Sequence, residues 1–507
     1  MYNLIIKNAK IIDGTGSPSF FSDIGIKEDK IAKIAKGLDG AEKTIDAKGL
    51  TVTPGFIDSH SHSDNALLTY PDLVEKIEQG ITTSVAGNCG DSVAPMSKDS
   101  KNGNPVCKTV VSFINALKDE SFGSNTALLV GHSALREAVI GPANRVPDSE
   151  ELKKMKELLE DGMKHGALGV SFGLIYAPSC YSKTEELIEI AKVVGKYHGI
   201  VSAHIRNEGN TLVNAVEEFI RIIKESGARG VISHHKSAGK ENWGKVNHTL
   251  RMIDDANNEG LEIYCDVYPY IASHTSLAAS FVPQEARCEG TEGLKRRLQD
   301  PNTREEYRAW NKAFRGDDDL SWVQVALCTG MREYEGMKIP EVARARGTDV
   351  YDAIFDMISA GYSSACYFTM CEEDVKTVLK YPRAMICTDS SVARNNTVYH
   401  PRLRGTFPRV LGKYIREEKV TTLPEMIRKM TAMPAMVYGF ENKGLIRMGM
   451  DADICIFDEE KITDRATFED CSKRADGLNY VILGGEVVVE NAVYNGTRKG
   501  RVILRNG

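Results

Sequence analysis

The sequence predicts an α/β fold: a (β/α)8 barrel with a small β domain assembled from both ends of the chain. Three observations carry this. Short apolar runs alternate with longer helical patterns through the middle of the chain, as parallel strands and crossover helices do. Both ends read instead as strands joined by turns. No glycine-rich phosphate fingerprint follows an early strand, so a barrel is favoured over a doubly wound open sheet.

In chain order, Leu4-Ile5-Ile6 and Lys10-Ile11-Ile12 are apolar runs separated by polar residues, and Asp13-Gly14-Thr15-Gly16 is a turn signal. Ile24-Gly25-Ile26 and Ile31-Ala32-Lys33-Ile34 flank Glu28-Asp29-Lys30 as the arms of a hairpin. At the other end, Ala452-Asp453-Ile454-Cys455-Ile456-Phe457 and Tyr480-Val481-Ile482-Leu483 are strand-like. Gly484-Gly485 is a turn before Glu486-Val487-Val488-Val489. Residues 1–52 and 440–507 are therefore expected to share one small β domain.

Between them, residues 53–439 are expected to form the barrel. Candidate strands begin at 52–57, whose first residue overlaps the terminal domain, and continue at 82–86, 127–130, 168–171, 201–204, 230–233, 263–267 and 384–388. Helical patterns include 149–165, 183–198 and 211–225. Eight strands over roughly 380 residues fit a barrel with insertions. Residues 284–348 break the rhythm and carry the charged run 315–319, so they are expected to form an insertion near the barrel mouth.

The 507 residues are 42% hydrophobic and 26% charged, a balance that can bury a large core. A net charge of −6 offers no basic face for nucleic acid, and no apolar run is long enough to cross a membrane. The first residues, interrupted by Lys7 and Lys10, lack the apolar region of a signal peptide. Eleven scattered cysteines without CxxC pairs fit reduced thiols, which points to a cytoplasmic protein.

Chemistry-bearing residues gather at the C-terminal ends of the predicted strands, where enzymes on such barrels place their sites. An apolar strand runs into His60 and His62, and alternate residues face one side, so both imidazoles can meet one metal ion. Read alone, the pair fits surface histidines in a loop equally well. Cys89 follows the next strand, where its thiolate would be a strong zinc ligand; plain packing is the ordinary role of a buried cysteine. His204 ends a later strand, and His234-His235-Lys236 ends the one after it. Any one of these is ordinarily a core histidine bonded to a carbonyl, and of adjacent His234 and His235 only one should ligate. Asp389 follows the last strand, where a lone aspartate is otherwise a helix cap. Four strand ends with metal-type donors are not explained by such separate structural roles. A metal activates water and polarises a carbonyl. A carboxylate beside that water can take its proton and return it to a leaving amine. Asp389 is the candidate for this work.

At these residues the chain resembles the amidohydrolase superfamily and, within it, the N-acyl-D-amino-acid deacylases (D-aminoacylases), over nearly its whole length. The resemblance is carried by Thr53-Pro54-Gly55-Phe56-Ile57-Asp58-Ser59-His60-Ser61-His62, Gly87-Asn88-Cys89-Gly90 and Gly131-His132-Ser133-Ala134-Leu135-Arg136. It continues in His204-Ile205-Arg206-Asn207-Glu208, Ile232-Ser233-His234-His235-Lys236 and Asp266-Val267-Tyr268-Pro269-Tyr270. Near the end come the stretch His400-Pro401-Arg402-Leu403-Arg404-Gly405 and Gly449-Met450-Asp451-Ala452-Asp453. The histidine pair marks only the superfamily; the Asn-Cys-Gly, Ser-His-His-Lys and His-Pro-Arg pieces are more specific.

The resemblance implies a barrel plus a small β-sandwich. It implies one tightly bound Zn2+ on Cys89, His204 and His234, and a second, weaker position at His60, His62 and Asp389, with Asp389 as catalytic base. Many superfamily members bridge two metals with a carboxylated lysine on the fourth barrel strand. The matching Gly169-Val170-Ser171-Phe172 has none, and Lys164 precedes the strand. The implied substrate is a small molecule with a free carboxylate, held by Lys236, Tyr268 and Arg402, with Tyr176 at the scissile carbonyl. Apart from the family, these four read as salt-bridge or packing residues. The implied reaction is hydrolysis of an N-acyl-D-amino acid to a carboxylate and a free D-amino acid. Opening a cyclic amide or removing a carbamoyl group is an alternative on the same site, and a non-catalytic metal-binding protein is a third. Two departures from the family bear on side-chain preference. Ser390-Ser391-Val392 stands where glycine usually follows the aspartate, and the loop from Asp389 to His400 is slightly longer.

Overall fold

The computed structural model describes residues 1–96, 104–316, 319–392 and 400–505. Parts of the charged run at 315–319 and of the loop from Asp389 to His400 therefore lie outside the described residues.

Strands from both ends of the chain form one nine-stranded mixed sheet. Tyr2–Ile11 is a single strand where the sequence suggested two runs. Asn8 joins them with φ 56, its N–H bonded to Asp23 Oδ1 at 2.9 Å, and the pairing register shifts between Ile6 and Ala9. This is a β-bulge, which bends a strand without ending it. Phe20–Lys27 and Lys30–Ala35 form the expected hairpin. Gly484 and Gly485, both at positive φ, turn Leu478–Leu483 back into Glu486–Glu490. The two ends of the chain meet where Thr51–Pro54 pairs antiparallel with Ile454–Phe457. Ile6, Ile24, Val52, Ile454 and Ile482 are in the apolar core of this sheet.

Eight parallel strands form the barrel: β1 (Phe56–Asp58), β2 (Ile81–Ala86), β3 (Asn125–Gly131), β4 (Gly169–Gly173), β5 (Ile200–His204), β6 (Arg229–Ile232), β7 (Ile263–Val267) and β8 (Ala384–Ile386). Each pairs with the next in chain order. β2 and β3 are buried along their whole length, so Thr82, Thr83 and Ser84 of β2 and Asn125 and Thr126 of β3 are covered along with the apolar residues.

β1 and β8 share no ladder. The chain closes the barrel just beyond their ends, where Ser59 N–H donates to Ile386 O at 3.4 Å, Asp389 N–H to His60 O at 2.9 Å, and His62 N–H to Ser390 O at 3.1 Å.

The strand expected at 52–57 splits at Gly55. Pro54 ends a strand of the terminal sheet and Phe56 begins β1. A Cβ at position 55 would lie 2.2 Å from Thr82 Oγ1, so only glycine lets the chain pass from one sheet into the other here.

Between β7 and β8 in sequence, Ser273–Ser276, Val323–Cys328 and Ser363–Tyr367 form a three-stranded antiparallel sheet. It has its own apolar cluster, which includes Phe281, Leu298 and Phe355. Among the described residues no helix is long and apolar enough to cross a membrane. All eleven cysteines are free.

Candidate metal centre

A cavity of about 540 Å³ opens at the C-terminal ends of the strands, lined by His62, Cys89, His204, His234 and Asp389, with His60 wholly buried beside them. Ligand-type atoms of His60, His62, Cys89 and Asp389 all lie within 4.8 Å of one another, as do those of Cys89, His204 and His234. Cys89 is common to both groups. Its Sγ stands 3.3 Å from His60 Nε2, 3.4 Å from His234 Nε2 and 3.9 Å from His204 Nδ1. Asp389 Oδ1 is 3.2 Å from His62 Nε2 and 3.4 Å from His60 Nε2.

The backbone bends to bring these side chains in. Cys89 (φ 53), His234 (φ 37) and Asp389 (φ 46) all lie in the left-handed region, which L residues enter at a cost unless the surroundings hold them. At the turn after β2, a Cβ on Gly90 would come within 2.6 Å of the Gly173 nitrogen, so Gly90 lets Cys89 sit against β4.

The donor set fits a cation. Burial alone would raise the Cys89 thiol, but the charges of His60 and His234 hold it well below the ordinary thiol range. His60 moves the other way: burial opposes its charge, yet Cys89 and Asp389 push it well above its usual value. The same competition takes His62 to about 9. Asp389, against the effect of burial, is kept well below the carboxylate range by Arg402 and the neighbouring imidazoles. Protons thus gather among the donors, where a metal ion would displace them. A thiolate, imidazoles and one carboxylate form a donor set of the zinc type.

Behind the donors stand acids that sequence reasoning quoted within motifs without assigning a role. Glu208 Oε1 lies 2.9 Å from His234 Nδ1, and Oε2 lies 3.8 Å from His204 Nε2. Asp266 Oδ1 accepts from the main-chain N–H of His234 at 2.5 Å, and its Oδ2 lies 3.8 Å from His60 Nδ1, beyond hydrogen-bond distance. Of these contacts, only Glu208 at His234 Nδ1 is close enough to orient an imidazole through its far nitrogen; Asp266 fixes the main chain at His234. Glu208 follows His204 by four residues and Asp266 sits inside β7, so position at a strand end was the available signal. His235 turns away: its Nε2 is 2.8 Å from Thr249 Oγ1, and burial lowers it to about 4.

The four residues expected to touch substrate also line the cavity. Tyr176 packs edge-on to His204, with ring centres 5.2 Å apart, and its hydroxyl meets Thr275 Oγ1 at 3.0 Å. Lys236 Nζ contacts Glu208 Oε1 at 2.5 Å and His234 Nδ1 at 2.7 Å. Arg402 Nη1 donates to Asp389 Oδ2 at 2.7 Å. Lys236 and Arg402 both lie against the Tyr268 ring, 5.5 and 5.0 Å from its centre. The Tyr268 hydroxyl is buried without a hydrogen-bond partner among the described residues, so it has a proton to offer an incoming acceptor. Arg402 and Lys236 each also bond an acid beside the donors, Asp389 and Glu208 respectively.

A model of the amidohydrolase family matches residues 43–489. The chain is 35% identical over 514 residues to D-aminoacylase of Alcaligenes xylosoxydans xylosoxydans, covering 99% of this chain and 98% of that protein. It is 32% identical over 513 residues to N-acyl-D-glutamate deacylase of the same organism, covering 99% and 97%. The crystal structure of N-acyl-D-glutamate deacylase from Bordetella bronchiseptica, complexed with zinc and a phosphonate inhibitor, matches with a TM-score of 0.86 at 32% identity, covering 100% of both chains. With these full-length likenesses beside a converging donor set, the chain belongs to the amidohydrolase family and is a metal-dependent enzyme of it.

Proposed function

We propose that this protein hydrolyses the amide bond of N-acyl-D-amino acids, releasing a carboxylate and a free D-amino acid, with zinc as its metal. The observation that carries the reading is one cavity lined by both the metal donors and a Lys236–Tyr268–Arg402 wall suited to a carboxylate. The relatives' names give the substrate class and the handedness. Cys89, His204 and His234 would hold the tightly bound zinc, and His60, His62 and Asp389 a weaker second position. When bound, the metal supplies Lewis acidity for the carbonyl and lowers the pKa of water.

The remaining work falls to side chains. Arg402 gives one N–H to Asp389 and offers the rest of its planar fork to the substrate carboxylate, joined by the Tyr268 hydroxyl and the Lys236 ammonium. That anchor sets the scissile bond beside Asp389. Asp389, kept ionised, takes the proton of the attacking water and delivers it to the departing nitrogen. Tyr176 stands protonated, because burial raises its phenol well above the ordinary value, and donates to the carbonyl oxygen.

The test is release of free amino acid from matched N-acetyl-D and N-acetyl-L substrates, with zinc and after chelation. Zinc-dependent release from the D series is expected. Release from neither series, with turnover of a cyclic amide or a carbamoyl compound instead, would replace this reading.

A further inference from the structure

The short helix Val74–Ile77 lies behind the site and touches none of the cavity, yet it meets both arms that carry Asp389 and Arg402. Its Lys76 is wholly buried. The ammonium donates to Asp58 Oδ2 at 3.0 Å, Thr388 Oγ1 at 2.7 Å, Ser390 O at 2.9 Å and Ser390 Oγ at 3.1 Å. Asp58 in turn accepts from Thr388 N–H at 2.8 Å and from Thr388 Oγ1 at 2.6 Å. The two neighbours of Asp389 are thus tied to the end of β1, across the seam that closes the barrel. An aspartate held in the left-handed region needs such a support.

The other arm is held from the same few residues. Arg404, two residues beyond Arg402, donates through Nη2 to Glu75 Oε1 at 3.2 Å and through Nη1 to Glu78 Oε2 at 3.1 Å. Gln79 Nε2 donates to Leu403 O at 2.9 Å. Asp389 and Arg402 therefore do not rely on one another alone for their placement.

We infer that residues 75–79 form a clamp, in which Lys76 is a positioning residue for Asp389 and the Glu75–Glu78–Arg404 contacts position Arg402. The inference rests on the deacylase reading for its kinetic form. Lys76 acts through the base, so its loss falls on the chemical step. Arg404 acts through the carboxylate anchor, so its loss falls on substrate binding.

The experiment measures kcat and KM for an N-acetyl-D-amino acid in the zinc-loaded enzyme. The first variant is Asp58→Asn with Lys76→Met, removed together so that no buried charge is left unpaired. It is expected to lower kcat about tenfold or more while KM and zinc content hold, since small misplacement of a reacting group has effects of this size. Thr388→Val, which removes the hydroxyl that bonds both Lys76 and Asp58, should show the same pattern more weakly and serves if the double variant fails to fold. Arg404→Gln is expected to raise KM about fivefold with kcat nearly unchanged. Unaltered kinetics, or equal loss of kcat, binding and zinc in every variant, would overturn the clamp. A wild-type enzyme inactive on all N-acyl amino acids would instead overturn the reading of the reaction. The clamp would then be judged by crystal structures of the variants. Displacement of Asp389 in the first and of Arg402 in the last supports it, and unmoved side chains refute it.

Discussion

Asp389 and Arg402 form a buried ion pair, Oδ2 to Nη1 at 2.7 Å, that joins the metal donors to the cationic wall of the cavity. One carboxylate oxygen faces the histidines while the other faces the arginine. The group assigned to proton transfer is thereby also the group that senses the anchor, and the following tests separate the two.

Replacing Asp389 with alanine removes the group assigned to proton transfer but leaves Cys89, His204 and His234. Turnover is expected to fall by at least roughly a hundredfold, with most bound zinc retained by elemental analysis. Surviving activity would move the proton to another group.

Cys89→Ala and His204→Ala should behave oppositely. Each takes a donor from the Cys89–His204–His234 group, and Cys89 is also a member of the group with His60, His62 and Asp389. Protein purified without added zinc is expected to carry less metal than wild type, and activity should return only at high zinc. Full metal content after dialysis would contradict the assignment.

Arg402→Met should raise KM for an N-acyl-D-amino acid about tenfold or more, the scale of a lost charge-assisted contact. The penalty should shrink for the matching α-carboxamide, which carries no anion to lose. An equal penalty on both substrates would show that Arg402 serves Asp389 alone.

Lys429 gives a pH test away from the cavity. Its ammonium is buried and donates to the carbonyls of Leu379 and Tyr381, and burial lowers it to about 8. The folded value lies below the unfolded one, so between about pH 8 and 10.5 the unfolded chain binds the extra proton. Stability therefore rises with pH through this window and is reduced below it. Relative to Lys429→Met, the wild type should gain about 1 kcal/mol between pH 7 and pH 9 in urea unfolding. A constant difference would mean that the amine stays charged when buried.

Much of this was legible in the residues. Several barrel strands announce themselves because both faces are covered, so that apolar residues such as Leu128, Leu129 and Val130 follow one another in a row. His60, His62, Cys89, His204, His234 and Asp389 stand out by their place at the ends of predicted strands, and the fold brings them together. Other features depend on partners far away in the chain. Nothing local marks Gly55 as the crossing between two sheets; Thr82 does. Lys76 looks like a solvated lysine beside two glutamates until Thr388 and Ser390 are placed around it, 312 and 314 residues on. Glu208 and Asp266 read as loop and strand acids until the histidines they face are known.

The barrel seam has a consequence for biosynthesis. His62 and Asp389 are 327 residues apart, and the hydrogen bonds that join their segments await the last barrel strand. A chain still emerging from the ribosome can pair β1 through β7 in order, since each contacts its predecessor, but it cannot complete the reactive centre. Contacts of such long range form late, after the entropy of closing the loop has been met. A fragment truncated before β8 is therefore expected to carry Cys89, His204 and His234 with no Asp389 beside them.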